Sequence, residues 1–343
     1  MKLVSISFTA KGCALQKRLR ALLQVSGHTV SGYAPEQFSA GYDLQTADSL
    51  DDFAKNAFAQ ADGIVFIGAC GIAVRAIAPH LKSKAVDPAV VVVDELGRYA
   101  IPILSGHIGS SNRLAEQIAS LLDATPILTT ATDINRKFAV DTWASEHNLH
   151  IENIDCIKKI SAAVLNGDEV GFDSDFEVET LLPEHFVTAD SGKLGVCVSV
   201  FDKAPFTTTL KLIPPVVVLG IGCRRGTSAE KIDRIVRKEL ENERLSFHAV
   251  CKVCSIDLKE KEAGLREFCE GNCLPFACYS AEQLRAAKGD FTMSDFVFDV
   301  TGVSNVCERA AVLGSQNGKL IMRKHAKDGV TVAAAVLHYK LEF

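Results

Sequence analysis

Several short stretches of this chain set ionisable or hydrogen-bonding side chains in glycine-containing turns, where side chains and backbone amides can act together on one ligand. One is Leu104-Ser105-Gly106-His107-Ile108-Gly109-Ser110-Ser111-Asn112. An imidazole in such a turn exchanges a proton near neutral pH, and amides around Gly106 and Gly109 can receive charge developing on a carbonyl oxygen. A second, Thr129-Thr130-Ala131-Thr132-Asp133, offers three hydroxyls and a carboxylate. These suit polar recognition of a substrate, although Asp133 alone also suits the cap of a following helix. A third, Gly220-Ile221-Gly222-Cys223-Arg224-Arg225-Gly226-Thr227-Ser228, puts two guanidinium groups at a helix start, a setting that favours carboxylates or phosphates. Its G-x-G-x-x-x-G spacing departs from the dinucleotide fingerprint, and Asp257 lies too far on to be the ribose-binding acid.

Two further stretches are weaker. Gly68-Ala69-Cys70-Gly71 opens a helix whose amides face outward, with Arg75 one turn in; Lys82, Lys84 and Asp87 follow in a polar loop. Thr301, Gly302 and Glu308 fall in what reads as another strand-to-helix turn. Lys259 and Glu262 have the spacing of partners on a helix surface. Cys251 and Cys254 form a C-x-x-C inside a strand-like run with no second ligand pair, so buried thiols rather than a zinc site are expected.

Alternating strands and helices must position these turns. Leu3–Phe8, Gly63–Ile67, Ala89–Val93, Tyr99–Leu104 and Pro126–Thr130 read as strands. Helices are expected over Ala14–Gln24, from about Ile72, and over Ser110–Leu122, whose Leu114, Ile118, Leu121 and Leu122 make one apolar face. After Trp143 the text loses this rhythm until Pro214-Pro215, which can neither extend a helix nor donate within a sheet. It then restarts: strand Val216–Gly220, helix Ser228–Leu240 with Thr227 and Glu230 as capping box, strand Phe247–Ile256, helix Lys259–Cys273, a cap at Ser280 with Gln283, helix Val303–Leu313, and strands Lys319–Met322 and Val330–His338. The expected fold is α/β: two open, mostly parallel α/β sheet domains (1–142 and 214–343) joined by a smaller mixed α+β middle domain (143–213).

Length and composition agree. A chain of 343 residues with 48% hydrophobic and 23% charged residues can bury more than one core. A net charge of −5 argues against general nucleic-acid binding. The apolar run Gly63–Val74 is too short to cross a bilayer, and Met1–Thr9 carries no export pattern. A cytoplasmic protein with its 11 cysteines reduced is the expectation.

Taken in order, these blocks resemble the cobalt-precorrin-5A hydrolase family of cobalamin (vitamin B12) biosynthesis. The resemblance runs through Gly71–Pro79, Lys84 with Asp87-Pro88-Ala89, Val91–Asp94, Leu104–His107 and Thr129–Asp133. It continues through Gly220–Arg224, Ser255–Lys259 with Glu262, Thr301-Gly302-Val303, Cys307-Glu308 and Lys324. One departure is local: the family pattern after the histidine runs Gly-Gly-Ala-Asn, whereas this chain has Gly109-Ser110-Ser111-Asn112. The resemblance implies a hydrolase of the anaerobic branch that opens the ring A δ-lactone of a cobalt-corrinoid and releases acetaldehyde. It implies His107 and Asp133 as catalytic residues. Substrate binding falls to Gly71, Arg75, Lys84, Ser105, Gly106, Asn112, Thr129, Thr130, Gly222, Arg224, Arg225, Thr301, Gly302 and Glu308. The substrate brings its own cobalt, so neither a cofactor nor a protein metal site is expected. Nor is a nucleic-acid or membrane partner, while a homodimer and transient hand-off to other pathway enzymes are open. The competing reading is a corrinoid carrier without chemistry, which the likeness of the C-terminal unit to a stand-alone protein of the aerobic branch keeps alive. A nicotinamide-dependent oxidoreductase using the Gly220 turn is third.

Overall fold

The computed structural model describes every residue except 84–85, 107–109 and 131–136, together with all side chains of the described residues but that of Phe296. The chain divides into two compact units, Met1–Ser145 and Glu146–Phe343.

In the first unit, β1 (Lys2–Ser7), β2 (Thr29–Ala34), β3 (Gln45–Thr46), β4 (Gly63–Ile67), β5 (Ala89–Val93), β6 (Tyr99–Leu104) and β7 (Thr125–Pro126) form one sheet in the order β3-β2-β1-β4-β5-β6-β7. All neighbours are parallel except β5 and β6, joined by the expected hairpin. The helices are α1 (Ala10–Val25), the short α2 (Glu36–Ser39), α3 (Leu50–Gln60), α4 (Cys70–Ile77) and α5 (Ser111–Leu122), with α6 (Val140–Glu146) at the unit's end. Strand periodicity assigns the two faces. Val65, Ile67, Val91 and Val93 pack with Leu19, Leu114 and Ile118 of α1 and α5. Ile64, Phe66, Val90 and Val92 pack with Phe53, Ala73 and Ile77 of α3 and α4. Each such side chain contributes roughly 1.5–3 kcal/mol on burial, so β4 and β5, buried along their whole length, fix the sheet centre. The strand expected over Pro126–Thr130 is cut to Thr125–Pro126. After Ile127 N donates to Ala100 O at 2.9 Å the segment leaves the edge. That edge position also explains why proline, with no N–H to give, is tolerated there.

The second unit holds two five-stranded sheets. The middle stretch builds β8 (His150–Ile151), helix α7 (Asp155–Asn166), β9 (Val170–Ser174), β10 (Glu177–Val178), β11 (Phe186–Thr188), β12 (Gly192–Val198) and β13 (Phe206–Ile213). Its sheet, β11-β9-β12-β13-β8, is parallel apart from β8. The rest builds β14 (Val217–Cys223), α8 (Ala229–Asn242), β15 (Val250–Ile256), α9 (Ala263–Gly271), β16 (Phe276–Tyr279), α10 (Ala281–Ala286), α11 (Asp295–Thr301), α12 (Cys307–Gly314), β17 (Lys319–Lys327), β18 (Val330–Val336) and β19 (Lys340–Leu341). Here the order is β16-β15-β14-β18-β17, parallel on the β14-β15-β16 side and antiparallel across β14-β18-β17. Helices α8 and α9 bury Ile232, Ile235, Val236, Leu265 and Phe268 on one face, and Ala310 of α12 packs with Val218 and Cys254 on the other.

Four local expectations are corrected. The N-cap of α8 is Ser228, not Thr227, whose hydroxyl instead donates to Arg224 O at 2.7 Å. Residues 257–259 form a 3-10 turn and α9 starts only at Ala263. Thr301 ends a helix, so the turn from it to α12 joins two helices rather than a strand and a helix. Strand β17 runs on to Lys327, because its polar outer residues face solvent on a sheet edge that needs no apolar alternation.

Candidate active site

The chain leaves β6 through Ser105 in a left-handed conformation (φ 58°). Because β6 runs antiparallel to β5, with Leu104 opposite Val90, this turn lies where β4 and β5 begin, at the opposite end of the sheet from the Gly71 turn that follows β4. Its hydroxyl donates to Asp87 O at 3.0 Å. Asp87 is itself buried and accepts Lys82 N with both carboxylate oxygens, at 3.0 and 3.1 Å. Gly106 O accepts Asn112 N at 3.1 Å, and a Cβ at position 106 would stand 3.1 Å from Asn112 Oδ1. Asn112, buried in the first turn of α5, donates through Nδ2 to Thr130 Oγ1 at 3.0 Å. Ser105, Gly106, Asn112 and Thr130 are therefore one connected frame, with Thr129 exposed beside it. His107, Asp133 and Lys84 lie outside the described residues. The frame brackets the histidine on both sides: Ser105 and Gly106 precede it, and Ser110, left-handed at φ 63°, follows.

The α4 turn is different. Gly71 lies in the first turn of α4, and exposed Arg75 bends back to Gly71 O at 3.4 Å. The adjoining recess, about 340 Å³, is lined by Thr9, Gly68, Ala69, Ile72, Asp94 and Glu95. Glu95 accepts the Thr9 hydroxyl, and Asp94 caps its own turn through the amides of Leu96, Arg98 and Tyr99. Carboxylates in that recess weaken its suitability for an anion.

In the second unit, Gly222, Arg224, Arg225 and Thr301 come together around a pocket of about 600 Å³. The turn carrying the arginines is held from three directions. Arg224 N donates to Gly329 O at 2.9 Å, Thr227 bonds back to Arg224 O, and Gly226 N donates to Glu262 Oε1 at 2.7 Å. Glu262 also pairs with Lys259 at 2.9 Å, with side chains only 9% and 18% exposed. The expected surface pair is thus an enclosed clamp on the arginine turn. The bond from Lys259, then that from Gly226, holds the Glu262 carboxyl below its ordinary range. Lys324 and Lys327 add two more cations to the lining. Among the described residues Arg224, Arg225, Lys324 and Lys327 have no carboxylate partner at ion-pair distance. The thiols here are unsuited to attack: burial pushes Cys223 up and Cys307 up to about 12, keeping both protonated at neutral pH.

The glycines of this turn have packing reasons. A Cβ on Gly220 would fall 1.8 Å from Cys307 O, so the residue lets α12 close onto β14, and Gly226 takes a left-handed turn (φ 76°). Glu308 does not face the pocket's ligand space. It is fully buried, and its carboxylate accepts Thr292 N at 2.7 Å, Thr292 Oγ1 at 2.8 Å and Lys324 N at 2.7 Å. Its task is to tie two strands of chain together. Thr301 Oγ1 is turned inward to Val297 O at 2.7 Å, and Gly302 is the left-handed cap of α11 (φ 69°). Sequence reading missed Lys327, Val297 and Val300 as lining residues; they become visible only when α11 and the β17–β18 hairpin are seen to share a rim.

The eleven cysteines are unpaired. Cys254 is buried and its thiol is pushed up to about 11 by that burial. Among the described residues no cluster of histidine, cysteine and acidic side chains is arranged to hold a metal ion, and no helix is long and apolar enough to cross a membrane.

Mostly parallel α/β sheets carrying a hydroxyl–amide frame and a cationic pocket define a class that comparison makes specific. The chain matches the family models described as Cobalamin synthesis G N-terminal over residues 52–133, Cobalamin biosynthesis central region over 138–214 and Cobalamin synthesis G C-terminus over 217–335. It belongs to the cobalt-precorrin-5A hydrolase family. A Salmonella typhimurium protein of that name is 35% identical over 343 residues, covering 96% of each chain. One from Priestia megaterium is 33% identical over 301 residues, 82% of this chain and 80% of that one. Protein CobE of a Sinorhizobium species is 30% identical over 121 residues, 35% of this chain and 79% of that protein.

Proposed function

We propose that this protein hydrolyses the ring A δ-lactone of cobalt-precorrin-5A and releases acetaldehyde, giving cobalt-precorrin-5B in anaerobic cobalamin biosynthesis. The observation that carries this reading is the 35% identity to a named cobalt-precorrin-5A hydrolase across 96% of both chains. Nothing of comparable extent supports a non-catalytic carrier.

Water adds to the lactone carbonyl and the acyl–oxygen bond breaks, leaving a carboxylate and an alcohol on the two-carbon bridge. Loss of the alcohol proton then lets the bridge depart as acetaldehyde. The electron pair of the broken carbon–carbon bond passes into the conjugated macrocycle, which takes up a proton. His107 is the general base and Asp133 the second catalytic residue. Ser105, Gly106, Asn112, Thr129 and Thr130 form the polar surroundings that receive the lactone group, a task to which Lys84 is also assigned; Gly71 and Arg75 stand at the other end of the sheet and are not assigned to it. Arg224 and Arg225 bind peripheral carboxylates of the ring. Labour divides by domain, 1–142 for chemistry, 143–213 as the joining domain and 214–343 for ring binding; the bounds, though not the roles, are supported by where the three family models begin and end. No cofactor is needed beyond the cobalt the substrate carries. The enzyme works in the cytoplasm, its partners being the corrinoid itself and, transiently, neighbouring enzymes of the route.

The test is incubation with the lactone substrate under anaerobic conditions while acetaldehyde is measured. Many equivalents of acetaldehyde per protein are expected. A shifted corrinoid spectrum without acetaldehyde establishes a carrier instead.

A further inference from the structure

The pocket beside Arg224 is not cationic all round. Its lining divides by element: the arginine turn and the β17–β18 hairpin bring four cations, Arg224, Arg225, Lys324 and Lys327, against one carboxylate, Asp328, whereas α11 brings Val297 and Val300. Thr301 adds no free hydroxyl to that side, since Thr301 Oγ1 is engaged with Val297 O and Val303 O. Helix α11 also carries an unusual load of exposed apolar surface. Val300 is 64% and Phe298 54% exposed, and Met293 just before the helix is 72% exposed. Isolated exposed apolar residues are ordinary, but two on one seven-residue helix, with a third just before it, at the mouth of a charged pocket mark a binding surface.

The attachment of α11 fits that role. On its approach, Thr292 is fixed by buried Glu308, and Asn305 Nδ2 donates to Thr292 O at 2.9 Å. The same Glu308 accepts Lys324 N. One enclosed carboxylate thus sets the spacing between the apolar helix and the cationic strand. At its far end the helix stops at left-handed Gly302.

We propose that α11 is the specificity element of the ring-binding pocket: Val300 and Val297 lie against the flat apolar face of a polycarboxylate tetrapyrrole whose rim groups pair with Arg224, Arg225, Lys324 and Lys327. A small anion satisfies the cations but leaves the helix uncovered, and an apolar ring without carboxylates does the reverse. Only a ligand with both features uses both sides of the lining. This rests on the hydrolase reading for the identity of the natural ring, but not for the existence of the site.

The experiment uses the full chain and uroporphyrin, a flat octacarboxylate that has no lactone to open, with binding followed by porphyrin absorbance. Val300→Asp places a negative charge among the ring's carboxylates and is expected to weaken binding tenfold or more. Val300→Leu is expected to stay within twofold of wild type, as is Leu165→Asp, a charge placed on exposed α7 surface away from this pocket. Because Val300 is exposed, all three variants should keep the wild-type melting temperature, which is checked alongside. Uroporphyrin binding unchanged in Val300→Asp overturns the proposal, as does failure of the wild type to bind uroporphyrin at all. Acetaldehyde release from the lactone substrate is scored separately. A protein that binds uroporphyrin through Val300 yet releases no acetaldehyde retains the proposed site and loses the hydrolase reading.

Discussion

The two large sheets present different chemistry at the carboxyl ends of their strands. In the first unit the loops after β6 and β7 offer hydroxyls, an amide and backbone groups, joined through Ser105, Gly106, Asn112 and Thr130. In the second, the loop after β14 offers cations, clamped by Glu262 and enclosed on another side by an apolar helix. A half-buried neutral network orients groups and stabilises a developing charge, and exposed cations hold a ligand that arrives already charged. The two positions also differ: the first frame lies where β4 and β5 begin, and the cationic turn where β14 and β15 end.

The variants that break this division most severely are in the first unit. His107→Ala should lower acetaldehyde turnover about a hundredfold or more while corrinoid affinity stays near wild type; steady-state kinetics with a parallel binding titration checks it. Next comes Glu308→Gln. A glutamine has one acceptor oxygen where the carboxylate uses two, so a donor is left unmet in a closed space, costing about 2 kcal/mol in denaturant-induced unfolding of the second unit. An unchanged unfolding midpoint would show that the buried carboxylate does not hold the pocket walls. Third, Arg224→Ala with Arg225→Ala should raise KM about tenfold, more at low salt than at high, with kcat little changed.

Two smaller effects sharpen the picture. Ser110 is left-handed where the family pattern has glycine, so Ser110→Gly should stabilise the first unit by about 0.5–1 kcal/mol. A melting temperature that falls would mean the serine hydroxyl has a task there. The last concerns His150, which stacks on His248 with ring centroids 3.6 Å apart and planes 9° from parallel. Burial first, and the neighbouring imidazole second, hold His150 below the ordinary histidine value. The folded state then binds fewer protons than the unfolded one. Its contribution is complete above a pH of about 6.5 and is lost as the pH falls through the depressed value. Melting curves from pH 8 to 5 should decline on the acid side, less so in His150→Phe.

How much of this was written in the text of the chain differs by element. Strands β4 and β5 are bounded where their apolar, β-branched runs end, because strands buried on both faces must be apolar throughout, and β6 keeps its expected bounds as the antiparallel half of the hairpin. The capping box at Ser280 and Gln283 is present as expected, since both partners are local. Long-range demands were not legible. The hydroxyl of Thr227 is drawn to Arg224 O, leaving Ser228 to cap α8, and Glu262 abandons the helix surface for an amide 36 residues away. In the site, both glycine turns join a strand to a helix as their spacing implied, but the one before Asn112 lies where β4 and β5 begin rather than at their carboxyl ends, because only the pairing of β5 with β6 sets its direction. Glu308 is fixed by Thr292 and Lys324, which only tertiary packing brings near. Helix α11 escaped notice because its apolar residues face outward, against the pattern by which surface helices are recognised.

The account is tested most directly by measuring acetaldehyde released from the lactone substrate, with His107→Ala and the Arg224→Ala, Arg225→Ala pair run beside wild type over a range of substrate concentrations. The histidine variant should stay about a hundredfold slow at every concentration, and the arginine pair should approach the wild-type rate once substrate is raised about tenfold. Acetaldehyde appearing at the wild-type rate from His107→Ala, or a wild type that binds the ring and releases none, would contradict it.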